Sequence, residues 1–560
     1  MIRYNKFLSV LFILIFSFSY SYGQNRERNV EDTTKIKSAL EVVGLEFDRR
    51  EIKQMARGVK SNKQSYSAIR KFSLDNHVSP ALVFSPVPAG FQAPLPSPLN
   101  SWFLPKDVKL PENKVDIAFM SIPELASLIK NKEITSLELT RIYLERLKTF
   151  NDTLFCVVSL TEELALKTAA KMDEELAAGK YRGPLHGIPY GVKDLMAVKG
   201  YPTTWGAMPY KDQIIDENAA VVEKLQEAGA VLIAKLSNGA LAMGDVWFGG
   251  TTRNPWNPKY GSSGSSAGPA SATSAGLVAF AIGTETLGSI VSPSTRCGVT
   301  GLRPTYGVVS KYGTMALSWT MDKIGPICRN AIDCGIVMDY IRGEDTRELS
   351  SIEAAYVYPN KVDLSGLRIA YLKEYFDKEY TNHDNDSVAL DIFLKHGAKL
   401  IPVSLPQDFP VDALRIILSA EAAAAFSQLT LSNRDSLLVS QGGWSWPNSF
   451  RTSRLIPAVE YIQANRIRTL LIQEMNELMK DFDVIISPTR GGNQLTLTNL
   501  TGHPSIVLPN GFDQSSNPTS FLLIGPLFSE GLLCALGELY QNNASHHTKR
   551  PPIANSDKLY

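Results

Sequence analysis

Residues 218–235 read NAAVVEKLQEAGAVLIAK. The segment 218–228 is read as a helix, Gly229 stops it, and AVLIAK (230–235) is a short apolar strand. The same phrase recurs along the chain. EELALKTAAKMDEELAA (162–178) is a helix stopped by Gly179. LRIAYL (367–372) is a strand, followed by a helix at 386–396, Gly397 and the apolar AKLIPV; DVIISP (483–488) is a strand that ends in proline. Thr135-Ser136-Leu137-Glu138 is a capping box that opens a helix carrying Leu139, Ile142, Tyr143 and Leu147 at helical spacing. Helix, glycine, buried strand, repeated, is the signature of an α/β layer fold. There is no internal repeat.

The 560 residues allow about four domains on a length prior of ~150 residues each, and equally one large α/β domain. A hydrophobic fraction of 44% and a charged fraction of 20% exclude a disordered chain, a collagen and a coiled-coil rod. With 57 Lys+Arg against 56 Asp+Glu, nothing in the global charge calls for nucleic acid. A mean hydropathy of −0.07 excludes a multi-span membrane protein. Residues 24–80 are polar with helical patterning and form a small helical N-terminal region. Residues 81–113 are proline-rich and support neither helix nor central strand, so they form an extended connector. This gives a boundary near 115, a main domain over 116–545 and a polar, frayed tail over 546–560.

Residues 1–23 (MIRYNKFLSVLFILIFSFSYSYG) have a basic start at Arg3 and Lys6, then an apolar run from Phe7 to about Phe18. Small residues follow at Ser21 and Gly23. The run is shorter than the ~20 residues that span a bilayer. This is the pattern of a cleaved signal peptide with Gln24 as the mature start, and it implies a periplasmic or secreted protein with no stable membrane span. No cysteine follows the run to carry a lipid. Disulfides are permitted in such a compartment, and of the five cysteines Cys328 and Cys334 are close enough in sequence to invite pairing.

The chemistry concentrates in 254–313, where Gly and Ser dominate and large charged side chains are nearly absent before Arg296. Such a stretch lets backbone approach a ligand and exposes N–H groups to a developing oxyanion. A flexible linker would not run into the apolar block GLVAFAIGT (276–284). Two arrangements would activate a serine. Gly264-Ser265-Ser266-Ala267-Gly268 matches a nucleophile elbow, but that motif needs a strand before it, and NPWNPKY with its two prolines offers none. It also needs a histidine; His383, His396, His503, His546 and His547 have no evident catalytic context. The second arrangement uses a lysine as base, which must be neutral and hence desolvated. Lys193, in the apolar, glycine-bearing GIPYGVKDL (187–195), suits that role.

These segments, together with CGVTGLRPTYGVVS (297–310) and LTNLTGHPSIVLPNG (497–511), resemble in order and spacing the amidase signature family of Ser–Ser–Lys amidohydrolases. The likeness spans about residues 116–545. It implies an α/β fold with a central mixed, twisted sheet covered by helices on both faces, here with a helical N-terminal extension. It also implies Lys193 as base, Ser265 at a cis peptide bond as proton relay and Ser289 as nucleophile. The backbone N–H groups of Thr286, Leu287, Gly288 and Ser289 would form the oxyanion hole. Ser262, Ser263 and Ser266 are neighbours that a shifted register would select instead. The chain departs from the usual pattern at Leu287, where the family has glycine, and at Val291, where it has an arginine that can help bind acidic substrates.

The resemblance implies an exported amidase acting on a small-molecule carboxamide. The alternatives are a non-catalytic binding protein on the same fold and one component of a glutamine-dependent amidotransferase. No metal motif, phosphate loop or cofactor requirement is present in the sequence. Trp444, Trp446 and Phe450 are read either as an acyl pocket or as ordinary packing. The connector either covers the site or supports a homodimer.

Overall fold

The computed structural model describes residues 33–71, 74–78 and 80–555; the signal-peptide reading lies outside them. No described helix is long and apolar enough to cross a membrane. The chain divides into two compact units, one reaching to Asp75 and including Leu455–Glu460, the other holding Asn76–Arg454 and the chain from Tyr461 onward. In the first, residues 33–42 are helical and a second helix spans Arg49–Ile69, opened by a capping box between Asp48 and Glu51. Ile36, Leu40 and Ile52 form its small core.

The second unit is built on an 11-stranded sheet. In chain order its strands are β1 (Val157–Leu160), β2 (Pro189–Lys193), β3 (Val231–Leu236), β4 (Phe280–Glu285), β5 (Thr300–Arg303) and β6 (Lys323–Cys328), then β7 (Ile369–Tyr371), β8 (Leu400–Pro402), β9 (Val484–Pro488), β10 (Ser505–Phe512) and β11 (Pro518–Ile524). Their order across the sheet is β1-β3-β2-β4-β6-β5-β10-β11-β9-β7-β8. β3, β2 and β4 run parallel, as do β9, β7 and β8, and the other pairs are antiparallel. The sheet is therefore mixed.

Side chains alternate across a strand, so a sheet with two buried faces sends neighbours into different cores. β9 does this: Val484 and Ile486 join the larger core, Ile485 the smaller one. The larger core also takes Leu139, Tyr143 and Leu147 of helix α1 (Ser136–Leu154), whose start is the expected Thr135–Glu138 capping box. Helix α2 (Glu162–Ala177) is followed by Gly179 at φ +83°, and helix α3 (Ala220–Glu227) leads through Gly229 at φ +85° into β3. Arg468, Leu471 and Met475 belong to a long helix that ends at Met479, and the latter two fill the smaller core.

Three expectations need correcting. Asn257–Gly261 is a strand, paired with Arg253–Asn254 in a separate two-stranded ribbon; Pro258 is tolerated because a ribbon strand leaves one edge unpaired. Cys328 and Cys334 do not form a disulfide; all five cysteines are free and buried. The tail does not fray at 546: Pro551 is buried, and Arg550 pairs with Asp116 at 2.5 Å.

The connector has neither helix nor strand over 80–112 and packs as part of the larger unit. It is fastened by one buried carboxylate. Asp339 Oδ2, on helix α4 (Ala331–Ile341), accepts from Asn100 N at 2.8 Å and from Trp102 Nε1 at 3.0 Å. Its Oδ1 pairs with Arg342 at 3.1 Å, and Arg342 Nη2 donates to the carbonyls of Ser97 and Pro98. Removing one partner of a buried pair costs about 3–5 kcal/mol. Asp339→Ala is expected to lower unfolding stability by roughly that amount and to make residues 95–105 the first site of limited proteolysis, read by mass spectrometry.

Candidate active site

Parallel strands β2 and β4 carry the first half of the site. Val192 lies opposite Ile282, and the long side chain of the next residue, Lys193, reaches Thr284. Lys193 is wholly buried. Its Nζ lies 2.8 Å from Ser265 Oγ and 2.7 Å from Thr284 Oγ1, both hydrogen bonds. Burial pulls its pKa down to about 7, against a smaller opposing pull from Asp322 and Glu285. The next residue, Asp194, forms a buried ion pair with Lys235 of β3 at 2.8 Å and accepts from Thr204 N at 2.9 Å. Lys235 also donates to Thr203 Oγ1 and the Pro202 carbonyl. Of two buried lysines on adjacent strands, Lys235 thus has a carboxylate partner, whereas the hydrogen-bond partners of Lys193 are hydroxyls and a carbonyl.

Ser265 follows a cis peptide bond from Gly264. A Cβ at Gly264 would sit 1.9 Å from the Gly244 carbonyl oxygen, so glycine is required there. Of the neighbouring serines, Ser262 and Ser266 commit their hydroxyls to backbone carbonyls. Ser266 Oγ donates to the Thr284 carbonyl at 3.0 Å and accepts from Thr284 N at 3.1 Å. It thereby holds β4 to the start of helix α5 (Ala267–Ser274). Ser262 Oγ donates to the Ser263 carbonyl, and Ser263 N donates to Asp245. The strand that an elbow requires exists, but the Ser266 hydroxyl is held by backbone.

Ser289 lies in the loop between β4 and helix α6 (Val291–Cys297). It is joined to the Ser265 segment through backbone, its carbonyl accepting from Ser266 N at 3.1 Å. Both ends of this loop are pinned by buried carboxylates. Glu285 accepts from Ile290 N and Val291 N at 2.9 and 3.0 Å, from Arg303 at 3.0 Å and from Asn499 at 2.8 Å. Burial alone would raise the Glu285 pKa, but Arg303 and these donors outweigh it and hold it at about 2. Asp322 accepts from the Thr286 hydroxyl at 2.5 Å and from Leu317 N and Ser318 N. Gly288 takes the left-handed conformation at φ +82°, whereas Leu287 has no positive φ. The leucine that replaces glycine therefore sits where any residue fits. Among the described residues, the N–H groups of Leu287, Gly288 and Ser289 donate to no protein acceptor.

Thr284, Glu285, Arg303, Asn499 and Asp322 were not singled out from sequence. The signal was available in Glu285, the lone carboxylate of the Gly/Ser stretch and its only charged residue between Lys259 and Arg296. None of the five candidate histidines bonds to a serine; His503 is buried against Arg303, its pKa pushed down to about 3 by burial and that charge. Trp446 and Phe450 stack with Phe426 in a local core, and Trp444 is 95% exposed, so this trio is packing and surface.

A buried lysine bonded to a serine, beside a loop of free N–H groups, is a constellation for acyl transfer. The chain belongs to the amidase family, whose model matches residues 138–497, and it is an amidohydrolase acting on amide C–N bonds. The glutamyl-tRNA(Gln) amidotransferase A-subunit of Desulforudis audaxviator (strain MP104C) is 32% identical over 491 residues, covering 76% of this chain and 96% of that protein. Its counterpart in Carboxydothermus hydrogenoformans is 31% identical over 489 residues, 78% of this chain and 100% of its own length. The solved native peptide amidase of Stenotrophomonas maltophilia matches with a TM-score of 0.69 and 27% identity, over 79% of this chain and 100% of that one.

The Glu285 pKa is depressed from about 4.5 to about 2. Its stabilisation, on the order of 3 kcal/mol, is present above its ordinary pKa and is lost as pH falls through about 2. Glu285→Gln is expected to be less stable than wild type at pH 5.5, with the gap narrowing at pH 3.5. Urea unfolding at the two pH values checks this; a gap independent of pH would rule out the carboxylate as its source.

Proposed function

We propose that the protein hydrolyses a carboxamide to a carboxylate and ammonia or an amine through an acyl-enzyme on Ser289. The reading rests chiefly on the hydrogen-bonded Lys193–Ser265 pair in a water-poor pocket beside the 286–289 loop. Neutral Lys193 takes the Ser265 proton as Ser265 takes that of Ser289. Ser289 Oγ then attacks the carbonyl carbon, and the N–H groups of the loop receive the negative oxygen. The relay returns its proton to the leaving nitrogen as the C–N bond breaks. Water, deprotonated along the same path, releases the carboxylate and restores Ser289.

Residues 1–23 extend the reading to an exported enzyme, tested by N-terminal sequencing of the mature protein from a native host. A start at Gln24 supports export; an intact Met1 in the cytosol removes it.

A second reading has a specific observation behind it. The curated relatives named above are amidotransferase components, and they weigh toward an ammonia donor working with partner proteins. That reading uses the same bond-breaking chemistry on glutamine. Export would separate the chain from tRNA, whose supply is cytosolic. Ammonia release by the purified chain alone, from glutamine and from a panel of unrelated amides, separates the two readings. Turnover of the unrelated amides supports the free amidase; stimulated release from glutamine only with added partners supports the amidotransferase.

Because the neutral lysine is the working form, kcat/KM is expected to rise with pH through a limb near 7, set by Lys193. Lys193→Ala should lower it by roughly 10³-fold or more, and Ser289→Ala should abolish labelling by a fluorophosphonate. A flat profile between pH 6 and 8 would count against Lys193 as base.

A further inference from the structure

Thr284 and Thr286 have a second surroundings besides the catalytic groups. They form the floor of a cavity of about 170 Å³. Thr284 bonds Lys193 through its hydroxyl, so the cavity floor is one hydrogen bond from the proposed base. Leu195, Met315 and Leu317 supply apolar wall from the main fold. The outer wall comes from the connector: Leu82, Val83 and Phe84 all line it.

That outer wall is fixed in place. Asn76 exchanges two hydrogen bonds with the Ala316 backbone, donating at 2.9 Å and accepting at 2.7 Å. The Phe84 ring meets the Tyr306 ring edge-on with centroids 4.9 Å apart, and the Arg468 guanidinium lies 3.5 Å from the Phe84 centroid. Arg468 is itself buried and held by the Leu500 and Thr320 carbonyls. By contrast Leu82 and Val83, both large and apolar, remain 66% and 55% exposed although their segment is anchored on either side. The curated relatives named above match 96–100% of their own lengths but only 76–78% of this chain, and the family match starts at residue 138. The wall is therefore built from a part of this chain outside the family match.

We infer that Leu82, Val83 and Phe84 are specificity-determining residues that close the substrate cavity to an apolar group of about phenyl size. A cavity of ~150 Å³ has room for a benzene molecule; this one is close to that volume, with Lys311, Asp322, Arg347 and Glu348 also in its lining beside the apolar groups. The substrate class is then a carboxamide bearing a small aryl or compact alkyl group; long-chain fatty amides are excluded by the wall. The inference rests on the Ser289 reading above, which supplies the bond that is cut.

The test measures kcat/KM for primary amides of graded size, propanamide, phenylacetamide and dodecanamide, on wild type, Phe84→Ala and the double variant Leu82→Ala/Val83→Ala. The double variant changes exposed side chains and keeps the test open if Phe84→Ala does not fold. Fluorophosphonate labelling of Ser289 is followed in every sample. Wild type should prefer phenylacetamide over dodecanamide by at least about tenfold. The variants should lose that preference, chiefly through a higher KM for phenylacetamide and a gain on dodecanamide, with Ser289 still labelled. Labelled variants with an unchanged size preference would overturn the wall alone. No labelling of wild type would overturn the Ser289 reading and this inference with it.

Discussion

Lys193 has lost its water and gained no carboxylate. Stripping an ammonium of solvent disfavours its charged form, and hydroxyl and carbonyl partners do not restore what water supplied. A lysine in that position is available as a neutral amine near physiological pH, which no exposed lysine is. The burial comes from the sheet. Lys193 ends a strand flanked on both sides by parallel strands, and every residue of that strand is buried because both faces of the sheet are covered there, so its side chain enters the interior. Asp194, the adjacent carboxylate, is committed to Lys235. If it were free to turn toward Lys193, the lysine would stay protonated.

The same logic shapes the loop that ends at Ser289. A run of backbone N–H groups can receive an oxyanion only if something else fixes the loop, since a loop that satisfied its own donors would leave none for substrate. Glu285 and Asp322 do the fixing from outside, each spending a buried carboxylate on the loop's flanks. Glu285 tolerates this because Arg303 and Asn499 meet it from strand β5 and the C-terminal segment. Charge is thus placed on the supports of the loop.

Much of this was legible in the sequence, and the reasons are local. Helix, glycine and apolar strand repeat with short spacing, so the α/β class follows from neighbours along the chain. The serines stand in a Gly/Ser stretch whose composition departs from everything around it, and Lys193 stands in an apolar one. What stayed hidden depends on partners far away in sequence. Glu285 meets Asn499 across 214 residues. Thr284, an unremarked strand residue, became a lysine partner only through the β2–β4 register. The prolines of NPWNPKY argued against a strand because sequence does not reveal that a two-stranded ribbon has a free edge. Trp446 and Phe450 had the composition of a pocket and turned out to fill a core.

The connector's anchoring has a bearing on the order in which a nascent chain becomes an enzyme. Asn76 leaves the ribosome 240 residues before Ala316, the residue it clasps. Lys193, Ser265 and Ser289 are all synthesised before that clasp can form, and Asn499 arrives later still. The part of the wall made earliest is fitted after these three residues exist, and the last brace on the 285–291 loop comes from the final tenth or so of the chain. A growing chain therefore carries its serines and its lysine through most of synthesis without the hydrogen bond that Asn499 brings to Glu285.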